Sequence, residues 1–167
     1  MHLRRLVPSD ATAYQSLRLA ALQDSPSAFG SSYEEECDTP LATIAAHMAP
    51  DSGRYRFGAF DGEQLVGVVG FARESAPKLR HKGFIRGMYV APTHRARGAG
   101  RQLLEQALDC AAAMEGLRRL TLTVTAGNAS AQGLYLAKGF TVFGHEPCGL
   151  YADGAYYDVI HMALIIS

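Results

Sequence analysis

The sequence lacks tryptophan and has only three cysteines among its 167 residues. Cys37, Cys110 and Cys148 are far apart, odd in number and include no C-x-x-C pair. This spacing argues against a disulfide-stabilised scaffold and against a zinc site. A chain of this length can bury enough apolar surface to fold without either. We therefore expect reduced thiols, no bound metal and a cytoplasmic location.

The sequence also lacks net charge. Sixteen basic and sixteen acidic side chains cancel, so no overall field attracts nucleic acid or an anionic membrane. No apolar run approaches the roughly 20 residues that a membrane span requires. The opening residues, Met1 to Arg5, are not followed by the apolar core of a signal peptide. We expect the mature chain to begin near Met1 and to have neither nucleic acid nor membrane as a partner.

Repeats, low-complexity tracts and long linkers are absent as well, which predicts one domain over residues 1–167. Helices are predicted from about Asp10 to Leu22, from Thr39-Pro40 onward, from the turn at Gly98 to Gly116, and over residues 129–138. Strands are predicted over residues 2–7, 55–60, 65–71, 84–90, 120–125, 140–143 and 156–165.

The order of these elements predicts an α/β fold with a mixed sheet. Asp61-Gly62 joins two strands as a tight hairpin turn. The long helix that ends at Gly116 has an apolar stripe and connects strand 84–90 to strand 120–125, which favours a parallel pair with a right-handed crossover. We expect antiparallel pairing on the hairpin side of the sheet and parallel pairing where this helix connects.

The most informative segment is the glycine-rich turn Arg95-Ala96-Arg97-Gly98-Ala99-Gly100-Arg101, between a predicted strand and the long helix. The first amides of a helix have no intrahelical acceptor, and the helix dipole is positive there. Glycines allow a phosphate to approach the backbone, and three arginines add positive charge. The turn therefore predicts a site for a ligand that carries a pyrophosphate.

Two familiar phosphate-binding motifs do not match this turn. A dinucleotide-binding fingerprint needs a third glycine at position 103, which is Leu103, and no Gly-Lys-Ser/Thr segment exists for a P-loop. An RNA contact would be expected to interleave aromatic residues with the arginines. A solvated arginine cluster beside a simple turn is the plainest alternative.

Two blocks of the sequence together resemble the GNAT superfamily of N-acetyltransferases. The run from Val90 to Gly100 is similar to that family's acetyl-coenzyme A signature, with its Arg-x-x-Gly-x-Gly turn. Asn128, Tyr135 and the pair Gly139-Phe140 follow with the spacing of its second signature. The resemblance covers the chain from about Phe84 to its end.

This resemblance implies a single GNAT-like domain of six to seven strands, mostly antiparallel, with about four helices. A central parallel pair of strands would splay apart and bind acetyl-CoA as the co-substrate. The implied coenzyme contacts are Met88, Tyr89, Val90, Arg95, Ala96, Arg97, Gly98, Ala99, Gly100, Arg101 and Asn128. A phosphate site at Gly98 to Arg101 also follows from the chemistry of the turn, whereas the contacts of Met88 to Val90 rest on the family alone.

The resemblance also places Tyr135 beside the coenzyme sulfur, as the general acid for the departing thiolate. An ordinary tyrosine pKa of about 10 suits this role. Simple packing of the short helix onto the sheet is the alternative role for Tyr135. Asn128 can cap that helix, contact the coenzyme, or do both.

The acceptor side is less clearly marked. The segment between the first two helices covers the acceptor site in such folds, which makes Phe29, Tyr33 and Glu34 candidates. The aromatic residues would form walls, and the carboxylate would anchor the amine or act as a base through water. A run of acids is more often a solvated face. Further candidates for the base are the scattered histidines His81, His145 and His161.

The function that the resemblance implies is acetyl transfer from acetyl-CoA to a primary amine of a small molecule, peptide or protein. The amine would attack directly in a ternary complex. The resemblance also allows a homodimer, since dimers are common in the family. The alternative is a non-catalytic acyl-CoA-binding or sensing module on the same fold, against which Tyr135 argues because a binder needs no proton donor.

Overall fold

Seven strands form one sheet that helices cover on both faces, and the computed structural model describes all 167 residues. The strands are β1 (His2–Arg5), β2 (Arg54–Asp61), β3 (Gln64–Arg73), β4 (Lys82–Val90), β5 (Arg119–Thr125), β6 (Thr141–Ala152) and β7 (Ala155–Ile165). The helices are α1 (Ala11–Asp24), α2 (Tyr33–Glu36), α3 (Leu41–Ala46), α4 (Ala99–Ala112) and α5 (Ala129–Ala137). No helix is both long and apolar enough to span a bilayer.

The strands lie in the order β1-β2-β3-β4-β5-β7-β6. Only β4 and β5 are parallel, and their pairing covers just Lys82 to Phe84 against Arg119 to Thr121. Beyond these residues the two strands separate, which leaves a gap in the middle of the sheet. The mixed α/β sheet and the splayed central pair are therefore confirmed.

A bulge in β4 lies where this gap opens. Val68 of β3 pairs with Tyr89, and Gly70 pairs with Arg86, so β4 has one residue more than β3 between these two pairs. A bulge of this kind re-aims the side chains beside it. It allows Arg86 to line one side of the sheet's opening while Met88 contacts Tyr135 on the other.

Two apolar clusters attach the helices to opposite faces of the sheet. On one face, α4 contributes the fully buried side chains of its predicted apolar stripe, among them Leu103, Leu104, Ala107 and Ala111. On the other face, α1 contributes Leu17, Ala21 and Leu22, which pack with Phe60 and Val68. Apolar packing thus supports the sheet on both faces beside the central gap, where a site needs well-supported walls.

Two elements differ from the sequence prediction. The structure has five helices rather than four, because Ser32 and Glu35 form a capping box that starts α2. In that box the Ser32 hydroxyl accepts from the Glu35 amide at 3.2 Å, and the Glu35 carboxylate accepts from the Ser32 amide at 2.6 Å. The strand predicted to end at Phe143 continues as β6 to Ala152 and pairs with β7 in a long hairpin.

Candidate active site

A cleft of about 830 Å³ occupies the gap between β4 and β5. The end of β4, the turn before α4, the end of β5 and the start of α5 form its walls. The loop after α1 closes one side, where the Thr125 hydroxyl donates to the Ser27 carbonyl at 2.6 Å. The cleft brings together ten of the predicted coenzyme contacts: Met88, Tyr89, Val90, Arg95, Ala96, Gly98, Ala99, Gly100, Arg101 and Asn128.

The turn that begins α4 presents backbone amides to this cleft. Gly98 has a φ of +81°, a conformation that residues with a side chain rarely adopt, and it lies directly before the helix. The N–H groups of Ala99, Gly100 and Arg101 have no acceptor within the protein. Free amides at the positive end of a helix bind anions, so the turn has the chemistry that a pyrophosphate requires.

The arginines of this turn are mostly engaged with the protein itself. Arg95 donates to the Asp24 carboxylate at 2.7 Å and to the Val90 carbonyl at 2.9 Å. Arg101 donates to Glu105, one helical turn further on, at 3.0 Å. Arg97 is exposed and lies outside the cleft. Backbone amides, more than free guanidinium groups, are therefore the unpaired donors of the turn.

Tyr135 lies in the wall of the cleft and is 7% exposed. Its ring packs edge-on against Phe140 at 5.9 Å between centroids, and its hydroxyl lies 3.6 Å from the Met88 sulfur. Burial raises the pKa of Tyr135 to about 12, so the phenol is protonated at neutral pH. A thioether is a weak acceptor, and a stronger acceptor in the cleft would take this hydrogen bond.

The sequence left two roles open for Asn128, as the cap of a helix and as a ligand contact. Its side-chain oxygen accepts from the Ala131 amide at 3.2 Å and so caps α5. The residue also lines the cleft, and its side-chain nitrogen has no partner in the protein. Capping and a ligand contact are therefore compatible, because they use different atoms.

A second cavity, of about 440 Å³, lies between α1, the loop at residues 28–31 and strands β2 to β4. It contains four arginines, one carboxylate and one histidine: Arg18, Arg54, Arg56, Arg86, Glu36 and His47. The cleft and this cavity meet at the β4 bulge, where they share the residues Ala28, Phe29, Ile85, Arg86, Gly87 and Thr123. Molecules bound in the two spaces would therefore meet end to end.

The structure separates the residues predicted for the acceptor site. Phe29 lines both the cleft and the second cavity, whereas Tyr33 and Glu34 line neither, and Glu34 is exposed. Residues two apart on a helix do not share a face, and it is Glu36 that lies in the cavity. There the carboxylate accepts two hydrogen bonds from Arg18, at 2.9 and 2.8 Å.

The histidines considered as bases also lie outside both spaces. His145 pairs with Asp158 and His161 with Glu146, each at 2.8 Å. His81 lines neither space, and the histidine found in the second cavity is His47. The structure contains no group of three or more His, Cys, Asp or Glu side chains with the arrangement of metal ligands.

Comparison with known families gives the class of protein that this fold and cleft define. The model of the acetyltransferase (GNAT) family matches residues 17–140. The chain therefore belongs to the GNAT acetyltransferase family, which confirms the resemblance read from the sequence.

Three known proteins are similar to this chain in sequence or in fold. Spermidine N(1)-acetyltransferase from Vibrio cholerae is 29% identical over 118 residues, and the match spans 70% of this chain and 66% of the Vibrio protein. A GNAT-family acetyltransferase from Streptococcus pneumoniae has a TM-score of 0.88 at 25% identity and covers 99% of both chains. A phosphinothricin acetyltransferase from Sinorhizobium meliloti, solved in complex with acetyl-CoA, has a TM-score of 0.85 at 18% identity over 99% of this chain and 88% of that one.

Proposed function

We propose that this protein transfers the acetyl group of acetyl-CoA to a primary amine by direct attack in a ternary complex. The observation that carries the proposal is the meeting of two spaces at the β4 bulge, one suited to the coenzyme and one to an acceptor. In the reaction, a carbon–nitrogen bond forms as the carbon–sulfur bond breaks. The nucleophile loses a proton, and the departing thiolate gains one.

The cleft fits acetyl-CoA on two grounds. The free amides of Ala99, Gly100 and Arg101 suit a pyrophosphate. The edge of β4 beyond Phe84 has no partner on the β5 side and can pair with an extended amide-bearing arm as with another strand. When bound, acetyl-CoA would supply the thioester carbonyl that the amine attacks. Within the family's pattern, Met88 to Val90 are proposed to lie along that arm, with Asn128 at its side.

Tyr135 is proposed to donate the proton that the sulfur gains. A phenol with a pKa of about 12 remains protonated throughout the physiological range, so the proton is available whenever the site is filled. Proton transfer is proposed to follow cleavage of the carbon–sulfur bond, when the thiolate is fully formed. Until then Tyr135 contributes a hydrogen bond to the developing negative charge.

The acceptor can be a small molecule, a peptide or a protein side chain, and spermidine, on which the Vibrio relative is named as acting, is one candidate to test. Phe29 is proposed as a wall between acceptor and coenzyme because it lines both spaces. Tyr33 and Glu34 remain predictions without support from their positions. The cytoplasmic location and the homodimer also remain predictions.

The test is release of free thiol from acetyl-CoA with panels of amino acids, polyamines, aminoglycosides and peptide N-termini, with mass spectrometry of each product. We expect at least one amine to be acetylated well above the rate of thioester hydrolysis. Tight binding of acetyl-CoA with no turnover across the panel would instead support the non-catalytic acyl-CoA-binding module. Such a module would bind acetyl-CoA in the same cleft but would not transfer the acetyl group.

A further inference from the structure

Three residues form a row across the floor of the second cavity. Arg56 of β2 pairs with Gly70 of β3, and Gly70 pairs with Arg86 of β4. Residues directly opposite in antiparallel strands project from the same face, so the two arginines flank the glycine on one side of the sheet. Two strand spacings separate their backbones by about 10 Å. Arg54, two residues before Arg56, lies on the same face of β2.

The glycine in this row keeps the space between the arginines open. A Cβ atom at position 70 would lie 3.0 Å from the Arg86 carbonyl oxygen and 3.5 Å from the Arg86 Cγ. A larger side chain at position 70 would fill the part of the cavity floor that lies between the Arg56 and Arg86 side chains. The sequence thus places two long cations on either side of a position that has no side chain.

The positive charge of the cavity is largely uncompensated. Glu36 is its only carboxylate and is already bonded to Arg18 through two hydrogen bonds. Arg54, Arg56 and Arg86 form no ion pair with any carboxylate of the protein. Clustered unpaired charges destabilise a folded protein unless something binds them.

Arg56 is the clearest example of an unpaired cation in the cavity. Its guanidinium stacks over the Tyr14 ring at 4.5 Å, which holds it in the cavity. Its Nη1 atom is buried and has no hydrogen-bond partner in the protein. A buried donor without an acceptor is costly, and that cost is relieved when an anion provides the missing oxygen.

Other groups in the cavity respond to the same field. Burial lowers the pKa of His47, and the charges of Arg54, Arg56 and Arg86 lower it further, which favours the neutral imidazole. The pKa of Arg86 is lowered by burial and then by Arg54 and Arg56. An ammonium group entering this space would meet the same repulsion and lose its proton more readily, whereas a carboxylate would be attracted.

We propose that the acceptor is a small amine that also carries an anionic group, a carboxylate or a phosphonate. The anionic group would be bound by Arg56 with Arg54 and Arg86 beside it, and the amine would lie at the bulge, near Gly87 and Phe29, where the cavity opens to the coenzyme cleft. This assignment rests on the proposed acetyl transfer and selects a substrate class for it. The cavity volume, about 440 Å³, is near the lower end of the range of about 300–1,000 Å³ for small-ligand pockets.

The experiment compares acceptors that differ only in the anionic group. Alanine is paired with alaninamide, phenylalanine with phenylalaninamide, and 2-aminoethylphosphonate with ethanolamine, and spermidine represents a polycation. The amine of a carboxamide is less basic than that of the free acid, so intrinsic reactivity at neutral pH favours the amide. We expect kcat/KM to favour the anionic member of at least one pair by about tenfold to a hundredfold. The carboxylate and phosphonate arms show which anion is preferred.

Variants at Arg56 test whether the preference for anionic acceptors depends on the row of Arg56, Gly70 and Arg86. Arg56→Met keeps a long side chain over Tyr14 but removes the charge, and it is expected to bring the ratio of kcat/KM for the anionic acceptor to kcat/KM for its uncharged partner close to one. Arg56→Lys is expected to restore part of the preference. Arg86→Met serves as a second variant because Arg86 is more exposed than Arg56 and so less tied to folding, and it is expected to reduce the same preference. Arg118→Met, at an exposed arginine outside both spaces, is the matched control.

The outcomes separate this inference from the proposed function. A preference for spermidine or for the amides would overturn the anionic acceptor and leave acetyl transfer intact. If no amine is acetylated, the proposed function fails, and thermal shifts with the same amino acids and the phosphonate then decide the anion site. A rise in Tm for the unmutated protein that Arg56→Met lacks supports the site, and equal shifts in both proteins overturn it.

Discussion

The cleft and the second cavity present different kinds of donor to a negatively charged ligand. In the cleft, the donors are backbone amides at the start of α4, and two of the neighbouring arginines are paired with Asp24 and Glu105. In the second cavity, the donors are arginine side chains from separate elements, and three of them have no carboxylate partner. A site made from backbone depends on conformation and suits one constant ligand. A site made from side chains can be changed by single substitutions, so it suits a ligand that differs from one family member to the next.

The largest effect is expected where the backbone site is blocked. Gly98→Glu places a carboxylate where the pyrophosphate is proposed to bind and a side chain where φ is +81°. The unmutated protein should show a rise in Tm with acetyl-CoA, because a ligand that binds only the folded state stabilises it. In the variant we expect that rise to disappear.

The matched control is Gly53→Glu. Gly53 also has a positive φ, +69°, and open space around it, but it lies outside both the cleft and the cavity. Its backbone strain is similar, so it separates a general loss of stability from a loss of binding. An undiminished acetyl-CoA shift in folded Gly98→Glu would remove the phosphate site from the turn.

The difference between the halves also explains what could be predicted from the sequence. The free amides at the start of α4 are contiguous in the sequence. The run from Arg95 to Arg101, between a predicted strand and a predicted helix, was therefore enough to indicate them. Asn128 and Tyr135 are placed by a short helix with a recognisable start and stop. The strand over residues 120–125 followed from its period-two alternation, and the hairpin of β2 and β3 followed from the Asp61-Gly62 turn; both are local signals.

The second cavity could not be predicted in this way, because its residues come from the loop at residues 28–31 and from α1, α2, α3, β2, β3, β4 and β5. Only the register of the sheet brings Arg56 and Arg86 to either side of Gly70. A weak signal existed: Arg54 and Arg56 flank Tyr55 at the start of the strand predicted over residues 55–60, and a strand that began at Arg54 would place the two cations on one face. The capping box at Ser32 to Glu35 was likewise readable, and it would have shown that the acidic run begins as a helix.

The next effect concerns chemistry rather than binding. Tyr135→Phe keeps the ring packed against Phe140 and removes the hydroxyl, so stability and acetyl-CoA affinity are expected to change little. The rate of the chemical step should fall by about a hundredfold or more, as for a lost general acid. Single-turnover measurements with a reactive amine are required, because slow product release can hide the loss in steady-state turnover.

Tyr55→Phe is the control for this experiment, since its ring packs against Phe71 outside both spaces and its hydroxyl makes no hydrogen bond. It should leave the single-turnover rate unchanged. If Tyr135→Phe also leaves that rate unchanged across pH, Tyr135 is a packing residue and water protonates the thiolate. The cleft would then bind the coenzyme without providing an acid.

The smallest effect tests the one ion pair of the second cavity, between Arg18 and Glu36. Arg18 lowers the pKa of the Glu36 carboxyl through its two hydrogen bonds, more than burial raises it. A carboxyl whose folded pKa is depressed stabilises the fold above its unfolded pKa, about 4.3, and this contribution is lost as pH falls through the folded value. At pH 7 we expect Glu36→Gln to lower the free energy of unfolding by about 1–2 kcal/mol. The gap between the two proteins should close towards pH 3, when both are measured by urea unfolding.

Glu34→Gln is the matched control for this ion pair, because the exposed Glu34 has no ion-pair partner and its loss should change the free energy of unfolding at neither pH. A gap for Glu36→Gln that stays constant from pH 7 to pH 3 would mean that the pair contributes packing rather than charge. The second cavity would then hold four effectively unpaired arginines, which makes its difference from the cleft larger still.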